Sequence, residues 1–183
     1  MLTVLLAVFA AGAGPFERLK AKAAVERVSI NATAAWAGRY TSTPKELGGA
    51  LSGDELYLFP DGTYIYCEWA DIEPLTIYDK GQWSAVDGLI RLRSGPEIQW
   101  PPGAEREFIA AQRPGHSKEI LLVGTQGKLS YFEDNAADDP QLMLLIVGLL
   151  REETLDQREG ETVRARLMKE SWRPDYFRKG AAR

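Results

Sequence analysis

The chain has a single cysteine, Cys67, and a single histidine, His116. One cysteine excludes an intramolecular disulfide, and one histidine excludes a metal centre built from histidines within one chain. An excess of basic residues is lacking too. The net charge is -4, opposite to the footprint of a general nucleic-acid binder. There is no Gly-x-Ser-x-Gly elbow, no phosphate-binding glycine loop, and no interleaving of aromatic with basic residues. What is present is apolar material: 183 residues, 45% hydrophobic and 26% charged. That suffices for one domain with a core and is too much for intrinsic disorder.

Residues 1–13 form an apolar run that ends in Ala11-Gly12-Ala13, a small-x-small cleavage pattern. No positive residue precedes the run. The expectation is a signal peptide, with a periplasmic or secreted product that has no stable membrane insertion after cleavage. The run falls short of the about 20 apolar residues a bilayer span takes. Residues 14–36 read as a helical N-terminal segment. Pro15 suits a first helical position, and Phe16, Leu19, Ala23 and Val28 recur near helical spacing. Asn31-Ala32-Thr33 matches a glycosylation sequon and is read as a polar surface turn.

Residues 37–132 change character. Turn signals recur between runs rich in Tyr, Trp, Ile and Leu, the pattern of an all-β sandwich or barrel. Pro60-Asp61-Gly62 sits between two such runs. Pro60 presets the first corner of a turn and Gly62 supplies its left-handed position. The resulting hairpin pairs Leu58 with Tyr64 and Leu56 with Tyr66. One face then holds Leu56, Leu58, Tyr64 and Tyr66; the other holds Tyr57, Phe59, Ile65 and Cys67. Two apolar faces require a covering on each side. Asp87-Gly88 marks a second hairpin that pairs Val86 with Leu89 and Trp83 with Leu92. Further strands are expected at 39–41, 107–111, 119–123 and 129–132. That makes about eight, the number that closes a small barrel around side chains or one ligand.

Residues 133–183 read as a C-terminal helical segment with a basic tail. Asp138-Asp139 can cap a helix that starts at Pro140 and runs through the apolar stretch 142–150. From Val163 onward there are seven basic and two acidic residues, whereas residues 44–110 hold twelve acidic and five basic. The expected consequence is a tail lying against the acidic barrel. The fold class is therefore mainly β: an antiparallel meander or small up-and-down barrel of about eight strands, with C-terminal helices packed on it.

Three pieces of this β-region stand together: Gly38-Arg39-Tyr40, then Leu56 to Tyr64 around Pro60-Asp61-Gly62, then Gly81-Gln82-Trp83. Over residues 38–92 the chain resembles bacterial lipocalin-like (calycin-type) exported proteins. These share a Gly-x-Tyr opening strand, a Leu-x-Leu-x-Pro-Asp-Gly-x-Tyr hairpin and a Gly-x-Trp strand. The resemblance implies a small antiparallel barrel that binds or senses, and it transfers no catalytic residue.

A search for chemistry returns little. His116 lies in the loop Pro114-Gly115-His116-Ser117-Lys118, with no Gly-x-Ser-x-Gly elbow for it to serve, and reads as a solvent-exposed loop histidine. Cys67 sits in a strand with no basic neighbour and reads as a core residue. Glu68, Asp71 and Glu73 cluster around Trp69, where an aromatic beside acids could meet a sugar or a cation. The acidic run 133–139 lacks the glycine and the terminal glutamate of a calcium loop and reads as a helix-start loop. No motif points to a cofactor or a metal, and no catalytic constellation emerges. The leading expectation is a non-catalytic exported binding module for a small apolar or amphipathic ligand, with Tyr64, Tyr66, Trp69 and Trp83 at the ligand. The alternative is an envelope protein-protein interaction module or enzyme inhibitor that uses the face of Tyr57, Phe59 and Ile65. A carboxylate-based hydrolase ranks last.

Overall fold

Two turns organise the first half of the sheet. The computed structural model describes residues 13–28, 30, 33–71, 73–95 and 106–170. The expected signal segment through residue 12, the sequon at Asn31 and the tail beyond residue 170 lie outside the described residues. In chain order the elements are α1 (Pro15–Ala23), β1 (Glu26–Arg27), β2 (Gly38–Thr41), β3 (Ser52–Leu58), β4 (Thr63–Ala70), β5 (Glu73–Val86), β6 (Leu89–Ser94), β7 (Glu107–Gln112), β8 (Leu121–Gly124), α2 (Gly127–Asn135), α3 (Pro140–Val147), β9 (Leu149–Thr154) and α4 (Gln157–Glu170). Short 3-10 turns cover Thr33–Trp36 and Lys45–Leu47.

Gly62 takes a φ of 80°, and the hairpin it closes pairs Leu58 with Tyr64 and Leu56 with Tyr66, the register expected from the turn. At the second hairpin Asp87 and Gly88 both have positive φ, 52° and 75°. Two left-handed residues in a row match the twist of the flanking strands and set Val86 against Leu89 and Trp83 against Leu92.

From β2 to β9 each strand pairs antiparallel with the next, and β9 pairs back on β2. The result is a closed eight-stranded up-and-down antiparallel barrel, mainly β with flanking helices. The short β1 pairs with the end of β7, just beyond the β5–β6 hairpin.

The eighth strand is not where the sequence pattern put it. Residues 129–132 lie in α2, and β9 takes the eighth place. Leu129 and Phe132, three apart, share one buried helical face, while Ser130 and Tyr131 face outward. The expected helix through 142–150 also stops early, at Val147. A Cβ on Gly148 would lie 2.6 Å from Leu121 Cδ1 and 2.7 Å from the Leu144 carbonyl oxygen. Only glycine fits this corner, where the chain leaves α3 and enters the sheet. The N-terminal helix ends at Ala23, with Ala24 left-handed at φ 51°, so it does not extend to residue 36. As expected, Asp139 caps α3, its Oδ1 accepting from the backbone N–H groups of Gln141 (3.1 Å) and Leu142 (2.9 Å).

Three apolar clusters follow from this topology. One fills the barrel: Trp36, Tyr40, Leu56, Leu58, Tyr64, Trp83, Ile90, Leu92, Phe108 and Leu122 are among its buried members. A second lies where α1, α2 and α3 cover the outer face of β7, β8 and β9, through Phe16, Leu19, Leu129, Phe132 and Leu144. The third forms where α4 lays Leu167, with Val163 and Met168 beside it, on Tyr57, Phe59, Ile65, Cys67 and Ile77. The two-faced hairpin is thus covered on both sides, each buried side chain of this size contributing about 1.5–3 kcal/mol. Among the described residues no helix is long and apolar enough to cross a membrane.

Candidate functional site

The barrel has an apolar end and a polar end, and the division follows from strand alternation. Along β4, Tyr64, Tyr66 and Glu68 share a face; along β3, so do Leu58, Leu56 and Asp54. Leu56, Leu58 and Tyr64 belong to the interior cluster, so Asp54 and Glu68 continue the interior face to its rim. They are direct cross-strand partners. Two like charges placed opposite each other oppose the pairing.

β5 carries a bulge at this level. Tyr66 pairs with Asp79 and Cys67 with Ile77, so Tyr78 is the extra residue. The bulge turns Ile77 outward, under α4, and leaves Asp79 on the interior side. Asp79 is fully buried. Its Oδ2 accepts from the Tyr64 hydroxyl and from the Ser94 hydroxyl, the latter at 3.0 Å. Its Oδ1 has no hydrogen-bond partner.

The electrostatics follow from this burial. Asp79 is pushed up to about 6, chiefly by desolvation, against the pull of its hydroxyl and backbone donors and of Arg106. Asp54 is raised by burial, with Lys128 and the Tyr66 hydroxyl pulling the other way. Glu68 is raised by burial and by the Asp54 charge, while the Tyr78 hydroxyl opposes. Tyr64 and Tyr66 are pushed far above the ordinary tyrosine value, first by burial and then by these carboxylates. Both rim carboxylates are raised, each first by burial.

A cleft of about 320 Å³ opens at this rim, lined by Ser42, Thr43, Asp54, Glu68, Trp69 and Ile146 among others. Lys128, at the start of α2, also reaches it. A second cleft of about 650 Å³ runs between the strands and α4 past Arg39, Glu55, Tyr57 and Arg166. There the polar groups satisfy one another. Arg39 donates to Glu55 and to Glu152 at 2.9 Å, and Tyr57 donates to Glu55.

Of the four residues expected at a ligand, Tyr64 and Tyr66 stand together on the interior face toward the rim. Trp69 is on the opposite face of β4, against Gly53, and borders the rim cleft from outside. Trp83 lies deep in the core near the other end, its indole N–H donating to the Phe59 carbonyl at 3.0 Å. The expected interaction face of Tyr57, Phe59 and Ile65 is covered by α4: the three are 3%, 0% and 3% exposed. Arg164 of α4 lies over the Phe59 ring at 4.4 Å and pairs with Asp61 at 2.8 Å. The part of the expected basic tail that is described, at the end of α4, thus meets the hairpin through Arg164 and Leu167; the rest lies outside the described residues. Cys67 is buried and its thiol is pushed up by burial and the Glu55 charge, far from a nucleophile's range. His116 is exposed and bonds Glu119 at 2.7 Å.

Sequence reasoning missed Asp54, Asp79 and Ser94. The acids it grouped, Glu68 with Asp71 and Glu73, are neighbours in the chain. The partner Glu68 meets is Asp54, fourteen residues earlier. The hairpin register already contained that pairing; Asp79 was hidden by the bulge. Compared with protein-family models, with curated proteins and with solved structures, the chain matches none of them.

Proposed function

We propose that this protein is a non-catalytic, exported, lipocalin-like binding module that takes a small amphipathic ligand at the polar end of its barrel. One observation carries the reading. A closed eight-stranded ring, packed with apolar side chains at one end, finishes at the other in a few convergent polar groups beside an open cleft of about 320 Å³. Ligand sites combine this kind of apolar wall with a small number of placed polar groups, and eight strands leave room for side chains or one small ligand. The packed inner half directs a ligand to the rim rather than to the barrel axis. The polar groups there are held in place by each other, so the site is preformed.

The test is native mass spectrometry on protein purified from its own host, beside a Tyr66→Trp variant that narrows the rim. The expected result is an added mass on the wild-type protein that leaves on denaturation and is reduced in the variant. A bare wild-type protein, or an equal added mass on both, counts against the reading.

A further inference from the structure

The cleft of about 650 Å³ lies outside the barrel, between α4 and the strands, and its volume falls in the range of small-molecule pockets. Three of its lining residues are cross-strand neighbours: Glu153 of β9, Arg39 of β2 and Tyr57 of β3. α4 contributes Val163, Arg166 and Leu167, and Trp69 and Leu75 complete the wall. The lining joins apolar and aromatic surface to a few charged groups.

Most of that charge is already committed. Arg39 uses its two terminal nitrogens on Glu55 and Glu152, and the second Glu55 oxygen accepts from Tyr57. Two groups stand outside this network. Among the described residues the Arg166 guanidinium has no hydrogen-bond or ion-pair partner, and the residue is exposed. Glu153 stands 3.9 Å from Arg39, beyond hydrogen-bond distance, and its side chain is 59% exposed. One cation and one anion are thus uncommitted in the same cleft. A cationic ligand would leave Arg166 unanswered, and an anionic one would leave Glu153. An apolar ligand would cover both charges and pair neither, which is costly. A zwitterion with an apolar body answers both charges and uses the wall beside them.

We infer that this cleft is a second ligand site, and that it takes a free amino acid with a large apolar side chain. The ligand carboxylate accepts from the Arg166 guanidinium, whose planar fork suits a carboxylate. The ligand ammonium donates to Glu153, and the ligand side chain lies against Trp69, Leu75 and Val163. The network of Arg39, Glu55 and Tyr57 fixes the strands beneath and takes no part in recognition. No bond is made or broken.

The probes are L-phenylalanine, phenethylammonium, which lacks the carboxylate, and 3-phenylpropionate, which lacks the ammonium. Each is titrated calorimetrically into the full chain at pH 7.5 and moderate salt. L-Phenylalanine is expected to bind roughly tenfold tighter than either analogue, the effect of one hydrogen-bonded charge. Arg166→Gln should bring its affinity within about twofold of that of phenethylammonium, and Glu153→Gln within about twofold of that of 3-phenylpropionate. Lys118→Gln, at an exposed position between β7 and β8, keeps the preference and controls for overall charge. Either analogue binding as tightly as L-phenylalanine overturns the zwitterion assignment. Unchanged affinity in both Arg166→Gln and Glu153→Gln, or no binding at millimolar concentration, overturns the site. Arg166 and Glu153 do not line the rim cleft, so each of these failures leaves the rim reading standing.

Discussion

Asp79 is a burden on the stability of the barrel, because its carboxylate is fully buried with one oxygen unpaired. A rise from the ordinary 3.8 to about 6 corresponds to about 3 kcal/mol of ionisation cost in the folded state. Its folded value lies above its unfolded one, so its favourable contribution is complete below 3.8 and is lost as pH rises through about 6. Asp79→Asn should therefore stabilise the unliganded protein at pH 8 by up to about 3 kcal/mol, and by much less at pH 4. Urea melts at the two pH values measure this. An equal effect at both would mean that charge is not what Asp79 costs. Leu58, fully buried between Tyr64 and the core, supplies the contrast. Leu58→Ala should cost on the order of 2–5 kcal/mol at either pH, because a cavity does not titrate.

At the scale of elements, α4 is held by apolar contact, by the Arg164–Asp61 pair and by stacking on Phe59. Leu167→Ala should loosen it, lowering stability by on the order of 2–5 kcal/mol and raising the binding of an apolar dye as Tyr57 and Phe59 become exposed. For α3, Asp139→Ala removes both N–H partners at its start and should cost about 1 kcal/mol, read from the shift in thermal midpoint. The same elements show what a linear pattern reveals. Asp87-Gly88 and Pro60-Asp61-Gly62 act through bonds between near neighbours, so both registers are legible in the residue order itself. Leu129-Ser130-Tyr131-Phe132 is not. Four residues with apolar ends suit a strand or a helical turn equally, and the outer face of β8 decides. β9 was concealed because its Leu149 and Leu150 continue the apolar run of α3; Gly148 was the available signal. The site divides the same way. Tyr64 and Tyr66 are legible from alternation, while Asp79 needs the bulge and Asp54 the cross-strand partner.

For the whole molecule, the carboxylates fall into two groups with opposite pH behaviour. Asp54, Glu68 and Asp79 are raised by burial, so stability should climb as pH falls from 8 to about 5. Glu133 is lowered by its hydrogen bond from Arg18, and Asp61, despite burial, by Thr63 and Arg164. Their contributions are present at neutral pH and are lost below the ordinary values of 4.5 and 3.8. A stability maximum between about pH 4 and 6 is the expected outcome of thermal melts across the range. A maximum at pH 8 would show that the polar rim is not buried as described.

The ring closes through β9, which reaches β2 across more than a hundred residues of chain. Synthesis runs from β2 toward β9, so during elongation every strand but the last can be present with the ring still open. Until residue 154 leaves the ribosome, β2 and β8 each hold a row of unpaired backbone groups. The nascent chain therefore remains threadable, and the final hoop is fastened only when nearly all of the described chain has emerged.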